Sequence, residues 1–253
     1  MKHLRLIALL LLCSSTANAG LPVQGGASAT NADVEPNTRA LRITPRPIDP
    51  AYGGARGCYR YSGVTGVLPA ALAASAVVFS ARFDAATASD VAVVTQLSTR
   101  FLPLTPFTAA TLTDHTSFDA FIGRVFSASH TGGTAVTLTG DNLKVRTSFA
   151  STQFADIRIA TTAALGGGTV TLSTNPFAQS LRKGNRVNPA AATEETIMPT
   201  TDGMDADFRV GDGEYPIVLA DQEGIVIRNR TVWPAAGTGQ LRVTMVWCEL
   251  TSY

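Results

Sequence analysis

From Gly57 onward the chain falls into short runs whose apolar residues recur at every second position. That period sets one side of a β-strand in a core and the other toward water. The pattern is plainest near the end. Ile225, Ile227, Val243, Met245 and Trp247 make one apolar face, with Arg228, Arg242 and Thr244 on the other. Runs rich in Val, Ile and Thr and bounded by Gly, Asn or Asp predict strands over 58–64, 76–83, 91–97, 121–127, 135–139, 144–149, 155–160, 169–173, 217–219, 224–232 and 241–250. Glycines at 132–133 and 166–168, the run 140–142 and Gly237-Thr238-Gly239 mark turns. The spacing makes 155–160 and 169–173 hairpin partners and pairs the last two strands as a hairpin, with Trp233-Pro234 ending the first of them. Phe118, Phe121, Ile122 and Val125 fit a helix by spacing, but the β-branched and Gly content favours a strand. Residues 68–76 are Ala-rich and predict one short helical turn after Pro69. The architecture these elements imply is all-β: a β-sandwich, jelly-roll-like, preceded by an extended arm.

Three segments lie outside this rhythm. Residues 1–19 have the form of a secretory leader: Lys2 and Arg5, then the apolar run 6–13, then Ala17-Asn18-Ala19 as a cleavage signal before Gly20. The apolar run is too short to span a bilayer, which needs about 20 residues. Residues 20–55 carry Pro22, Pro36, Pro45, Pro47 and Pro50 with paired glycines, which predicts an extended arm. The sandwich domain is then 56–253, interrupted by a long polar connection at 182–214.

Composition narrows the function classes. Charged residues are 15% of the chain, against about 25% in ordinary soluble domains. The apolar share of 45% excludes a disordered chain. A net charge of +1 with no basic cluster argues against a nucleic-acid binder. Charge is also unevenly spread: 61–81 and 159–181 carry none, and 125–140 carries only His130. Such neutral polar stretches are expected at subunit contacts, where no ion has to be desolvated. Residues 61–81 are too weakly hydrophobic, with Pro69 and two glycines, for a membrane span.

No catalytic, cofactor-binding or metal-binding residue stands out. Beyond the leader the only histidines are His115 and His130, and His130 in Ser-His-Thr-Gly-Gly reads as a solvated turn residue. Cys58, Cys248, His115 and His130 lack the close spacing of a zinc site. Cys58 and Cys248 read as small buried thiols; in an oxidising compartment the two would instead be able to pair and tie the chain ends together. Asp202, Asp205, Asp207, Asp212 and Glu214 are the densest acidic cluster, but they lack the order of a calcium-binding loop and read as a solvated acidic loop. Asn229-Arg230-Thr231 matches a glycosylation sequon by chance inside a predicted strand. There is no Gly-x-Ser-x-Gly elbow, no phosphate-binding loop and no dinucleotide fingerprint.

Several runs do carry a resemblance: 126–135 (FSASHTGGTA), 140–148 (GDNLKVRTS), 156–165 (DIRIATTAAL), 175–178 (NPFA), 216–220 (PIVLA) and 223–229 (EGIVIRN). In this order, across about residues 60–250, the chain resembles uncharacterised virion structural proteins of tailed bacteriophages. The resemblance implies a non-enzymatic β-sandwich built into or displayed on a phage particle, as a capsid decoration, fibre or tail-associated subunit. It also implies a homo-oligomer that contacts other virion proteins, without nucleic acid, cofactor or membrane span in the mature chain. The leader supports an alternative: a secreted or periplasmic bacterial β-sandwich binding module.

Overall fold

The computed structural model describes residues 55–105, 107, 117–180, 203–207 and 216–251. The leader, nearly all of the arm and most of the 182–214 connection lie outside the described residues. Alternation dictates the strands. β1 (Ala55–Val64), β2 (Val77–Phe83), β3 (Val91–Thr105) and β4 (Phe118–Ala128) come first. Next are β5 (Thr134–Ala135), β6 (Phe154–Ile159), β7 (Thr169–Leu172) and β8 (Ala178–Ser180). The last four are β9 (Gly203–Asp207), β10 (Ile217–Leu219), β11 (Gly224–Asn229) and β12 (Thr238–Leu250). No helix occurs among the described residues, so none there is long and apolar enough to cross a membrane.

The strands form two antiparallel sheets. One has the order β1-β12-β3-β10, with β9 also on β3; the other runs β5-β6-β2-β11-β4-β7, with β8 also on β4. The pairings are nested: β1 with β12, β2 with β11, β3 with β9 and β10, and β4 with β7 and β8. Lateral pairs β12–β3 and β11–β4 close each sheet. A long antiparallel ribbon folded in this way is a jelly roll. The core lies between the sheets, where the five apolar residues singled out at the end of the chain are all buried. Phe101, Phe107, Phe118 and Trp233 cluster by their rings, and Trp247 stacks with Tyr59 and meets Phe154 edge-on.

Several local expectations are corrected. β11 and β12 are not a hairpin but belong to different sheets. The link between them is a crossover that drops Trp233 into the core, its N–H bonded to Leu72 O at 2.9 Å. β6 and β7 do not pair either; β6 joins β2, and β7 joins β4. The 144–149 segment is not a strand. It touches β1 through a single bridge between Lys144 and Tyr59 and then turns, leaving Val145 exposed. Of 135–139 only Ala135 is in a strand. The helical turn at 68–76 is absent. Ala71 and Ser75 take positive φ of 56° and 60° in two turns that keep Leu68 and Leu72 buried. Asn229, fully buried, holds those turns: its amide donates to Leu72 O, Ala73 O and Thr231 O and accepts from Trp233 Nε1. Inside the 182–214 connection, β9 adds a strand that pairing rather than apolar pattern defines.

Candidate functional site

Among the described residues, Ser, His and Asp converge on the outer face of the second sheet. Val226 of β11 stands in register between Ser80 of β2 and Phe121 of β4, and Ser80 is in turn opposite Arg158 of β6. Beside this row, Gly224 and Gly123 are cross-strand partners, and the Phe126 ring occupies the space their missing side chains leave. The chain then folds back over the sheet. Thr131 and Gly166 exchange backbone hydrogen bonds, and Gly168 passes so close to His130 that a Cβ there would stand 2.5 Å from the ring.

His130 is therefore not a solvated turn residue. It is 5% exposed, and its Nδ1 shares a 2.8 Å hydrogen bond with Oγ of Ser80, itself 3% exposed. The Ser, Thr and Gly neighbours that look water-loving are the cover itself. Burial pushes the imidazole below its ordinary value, and the nearby Asp156 only partly opposes this. His130 is thus held neutral. Asp156 is committed to Arg158, with Nε 2.7 Å from Oδ2. No hydrogen bond among the described residues joins Asp156 to His130, so the three groups are neighbours without the base–orienter bond of a triad. A nucleophile must also meet its substrate, and this hydroxyl is roofed by the protein's own chain.

A second polar cluster closes one end of the sandwich. Glu249 of β12 is 1% exposed and accepts from Trp247 Nε1 at 3.1 Å, from Thr152 Oγ1 and from the Gln153 N–H. Gln153 Nε2 donates to Asp90 Oδ2 at 3.1 Å, and Arg56 pairs with the same oxygen at 2.9 Å. Burial raises the Glu249 carboxyl, although these hydrogen bonds and Arg56 pull it back. For Asp90, burial also pushes upward, but the bonds from Thr87 and Gln153 with Arg56 outweigh it, and the net shift is down. Tyr59 donates to Ala150 O at 3.0 Å; burial, helped by Glu249, raises its phenol against the opposing pull of Arg56. Thr152 and Gln153, just before β6, are tied to Glu249 and Asp90, and Asp90 also accepts from the Thr87 N–H in the connection before β3, so the cluster acts as a fastener. Its sequence signal was a lone acid inside the apolar run Val246-Trp247-Cys248-Glu249-Leu250.

Cys58 and Cys248 are not free thiols. They are cross-strand partners on β1 and β12 and form a disulfide, S–S 2.09 Å, spanning 190 residues of sequence. Strand register places two residues far apart in the chain directly opposite each other, which spacing alone cannot reveal. His130 belongs to the other sheet's outer face, so these candidate ligands do not meet; His115 lies outside the described residues. Of the acidic cluster, Asp205 and Asp207 fall in β9, and Asp202, Asp212 and Glu214 lie outside the described residues. Among the described residues no three His, Cys, Asp or Glu side chains stand close enough to hold a metal ion. The Asn229 sequon is sealed, its amide committed to backbone carbonyls.

Fold and clusters together define a disulfide-closed jelly roll whose polar clusters bind the structure's own segments to one another. No protein-family model and no curated protein matches the chain.

Proposed function

We propose that this chain is a structural, non-enzymatic subunit of a bacteriophage particle, of the capsid-decoration, fibre or tail-associated kind. The observation that carries the reading is where the virion-like runs fall. Phe126 to Ala135, Asp156 to Leu165 and Glu223 to Asn229 build the covered face of the second sheet: the end of β4, β6 with its following turn, and β11. The resemblance thus concerns residues that shape a jelly roll and close over it, not residues that present chemistry to a ligand. Jelly rolls recur in viral capsid domains, but fold alone does not fix function, and the reading leans on these runs. Mass spectrometry of purified particles from the native source tests it. Peptides of this chain in fixed ratio to the other particle proteins are expected, and their absence sinks the proposal.

The Cys58–Cys248 bond favours a second reading. Disulfides persist mainly in oxidising compartments, and the leader at 1–19 would deliver the chain to one. An exported binding module would begin at Gly20 when sequenced from its native source, whereas an intact leader speaks for assembly in the cytoplasm.

A further inference from the structure

We infer that His130 is an acid-operated latch: a proton taken up by its imidazole parts the two segments that cover the outer face of the second sheet, 129–133 and 166–168, while both sheets stay folded. The first segment joins β4 to β5, and the second leads into β7. In the two together only one side chain is buried, that of His130. Thr131, Gly132, Gly133, Gly166 and Gly167 are exposed, and Ser129 and Gly168 are half-buried. The cover has no buried apolar side chain of its own, so its attachment depends on polar contacts around one ring.

Those contacts are few. His130 Nδ1 meets Ser80 Oγ, Arg82 Nη1 reaches Ser129 Oγ at 3.4 Å, and Arg158 Nη1 donates to Gly132 O at 3.0 Å. The segments hold each other through the backbone bonds that Thr131 and Gly166 exchange and through Thr131 Oγ1, which donates to Gly166 O at 2.8 Å. Because Gly168 lies against the ring, the imidazole cannot leave unless the segments separate and those bonds break. The backbone permits that step. Gly132 and Gly133 take consecutive positive φ of 73° and 59°, and the space beside Gly132 is open.

The surroundings of the ring disfavour a positive charge. β2 contributes Ser80 and Arg82 to this face, and β6 contributes Asp156 and Arg158. β4 gives Phe126, β11 gives Val226, and the 166–168 segment is all glycine. Further along β11, Arg228 lies over the Phe121 ring, 4.1 Å from its centroid. Asp156 is paired with Arg158, and Asp84, 3.8 Å from Arg82, is exposed. An imidazolium in the closed state would therefore sit out of water, with two guanidinium groups anchoring the segment that carries it. Once the segments part, water solvates the ring and its ordinary basicity returns. The burial that lowers the basicity of the closed ring is the same free energy that drives opening in acid. The cover is closed above the ordinary histidine value near 6.5 and loosens below it. This inference is independent of the particle reading.

Amide hydrogen exchange of the full chain, read by NMR and corrected for the intrinsic effect of pH, tests it. Between about pH 7.5 and pH 5 the Thr131 and Gly166 amides should lose at least about tenfold in protection. The Ile225 and Ile227 amides of β11, between β2 and β4, should keep theirs. His130→Gln, neutral at every pH, should hold the Thr131 and Gly166 amides at one level across the range. The wild-type imidazole resonances supply a reading that needs no variant: the loss should level off at the pH where the closed ring itself titrates. Protection at Thr131 and Gly166 that ignores pH overturns the inference. So does a loss shared equally with Ile225 and Ile227, which is unfolding of the sheet itself, or a His130→Gln protein that keeps the full response.

Discussion

The two sheets of this jelly roll treat their outer faces in opposite ways. The second sheet is roofed by its own chain: Phe126 fills a paired-glycine gap, and His130 is sealed under Gly168 against Ser80. Among the described residues, the first sheet closes only one end of its outer face, where Cys58 and Cys248 join and Val93 lies buried beside them. Beyond that end it presents the hydroxyls of Ser62, Ser98 and Thr244, the apolar Val64 and Leu102, and Arg60, Arg100 and Arg242. The difference explains part of the uneven charge. In 77–81 charge is absent because β2 sits between β6 and β11 with both faces covered, and Val78, Phe79, Ser80 and Ala81 are all buried. Neutral sequence there reflects internal packing and not a subunit contact. On the first sheet, Ser62 and Val64 come from the same neutral stretch and remain exposed.

Truncation on the roofed face is costly. Phe126→Ala should lose about 3–5 kcal/mol of stability in chemical denaturation, the usual range for an emptied aromatic core position. A loss no larger than that of a surface residue would mean the roof is not packed. The next effect depends on pH. The folded His130 sits below its ordinary value near 6.5, so the unfolded chain takes up the proton first. Stability is then full above that value and falls as pH drops through it toward the folded value. His130→Gln should flatten the dependence of thermal midpoint on pH across this window. Glu249, raised by burial, acts in the opposite sense in the carboxylate range. The comparison of variant with wild type, rather than the wild-type slope alone, is therefore the readout; identical slopes would place His130 in water. The smallest effect belongs to the open face. Arg100→Ala and Ser98→Ala should each stay within about 0.5 kcal/mol, and a larger loss would show that this face is bound to the fold after all.

Alternation made the inward residues legible: Ile225, Ile227, Val243, Met245 and Trp247 all reach the core as their spacing implies. Alternation reports which face a residue takes, however, not which sheet its strand joins. That is why β11 and β12, neighbours in sequence, read as a pair although each has two other partners. The same limit hid the second half of β3, where Pro103 and Arg100 look unlike a strand but pair along β12. At 68–76 alanine propensity pointed to a helical turn, and the tertiary demands of Leu68, Leu72 and Asn229 prevailed. The polar clusters were the least legible part. Ser80 and Glu249 acquire meaning only from residues 50 and 97 positions away in the chain.

The disulfide has a mechanical consequence as well. Because Cys58 on β1 is bonded to Cys248 on β12, a pull applied through residues outside the pair travels across the sulfur bridge. The loop between the cysteines, which are 190 positions apart, carries none of that load. Tension along the chain therefore bypasses the jelly roll, which stays folded until a covalent bond breaks or is reduced.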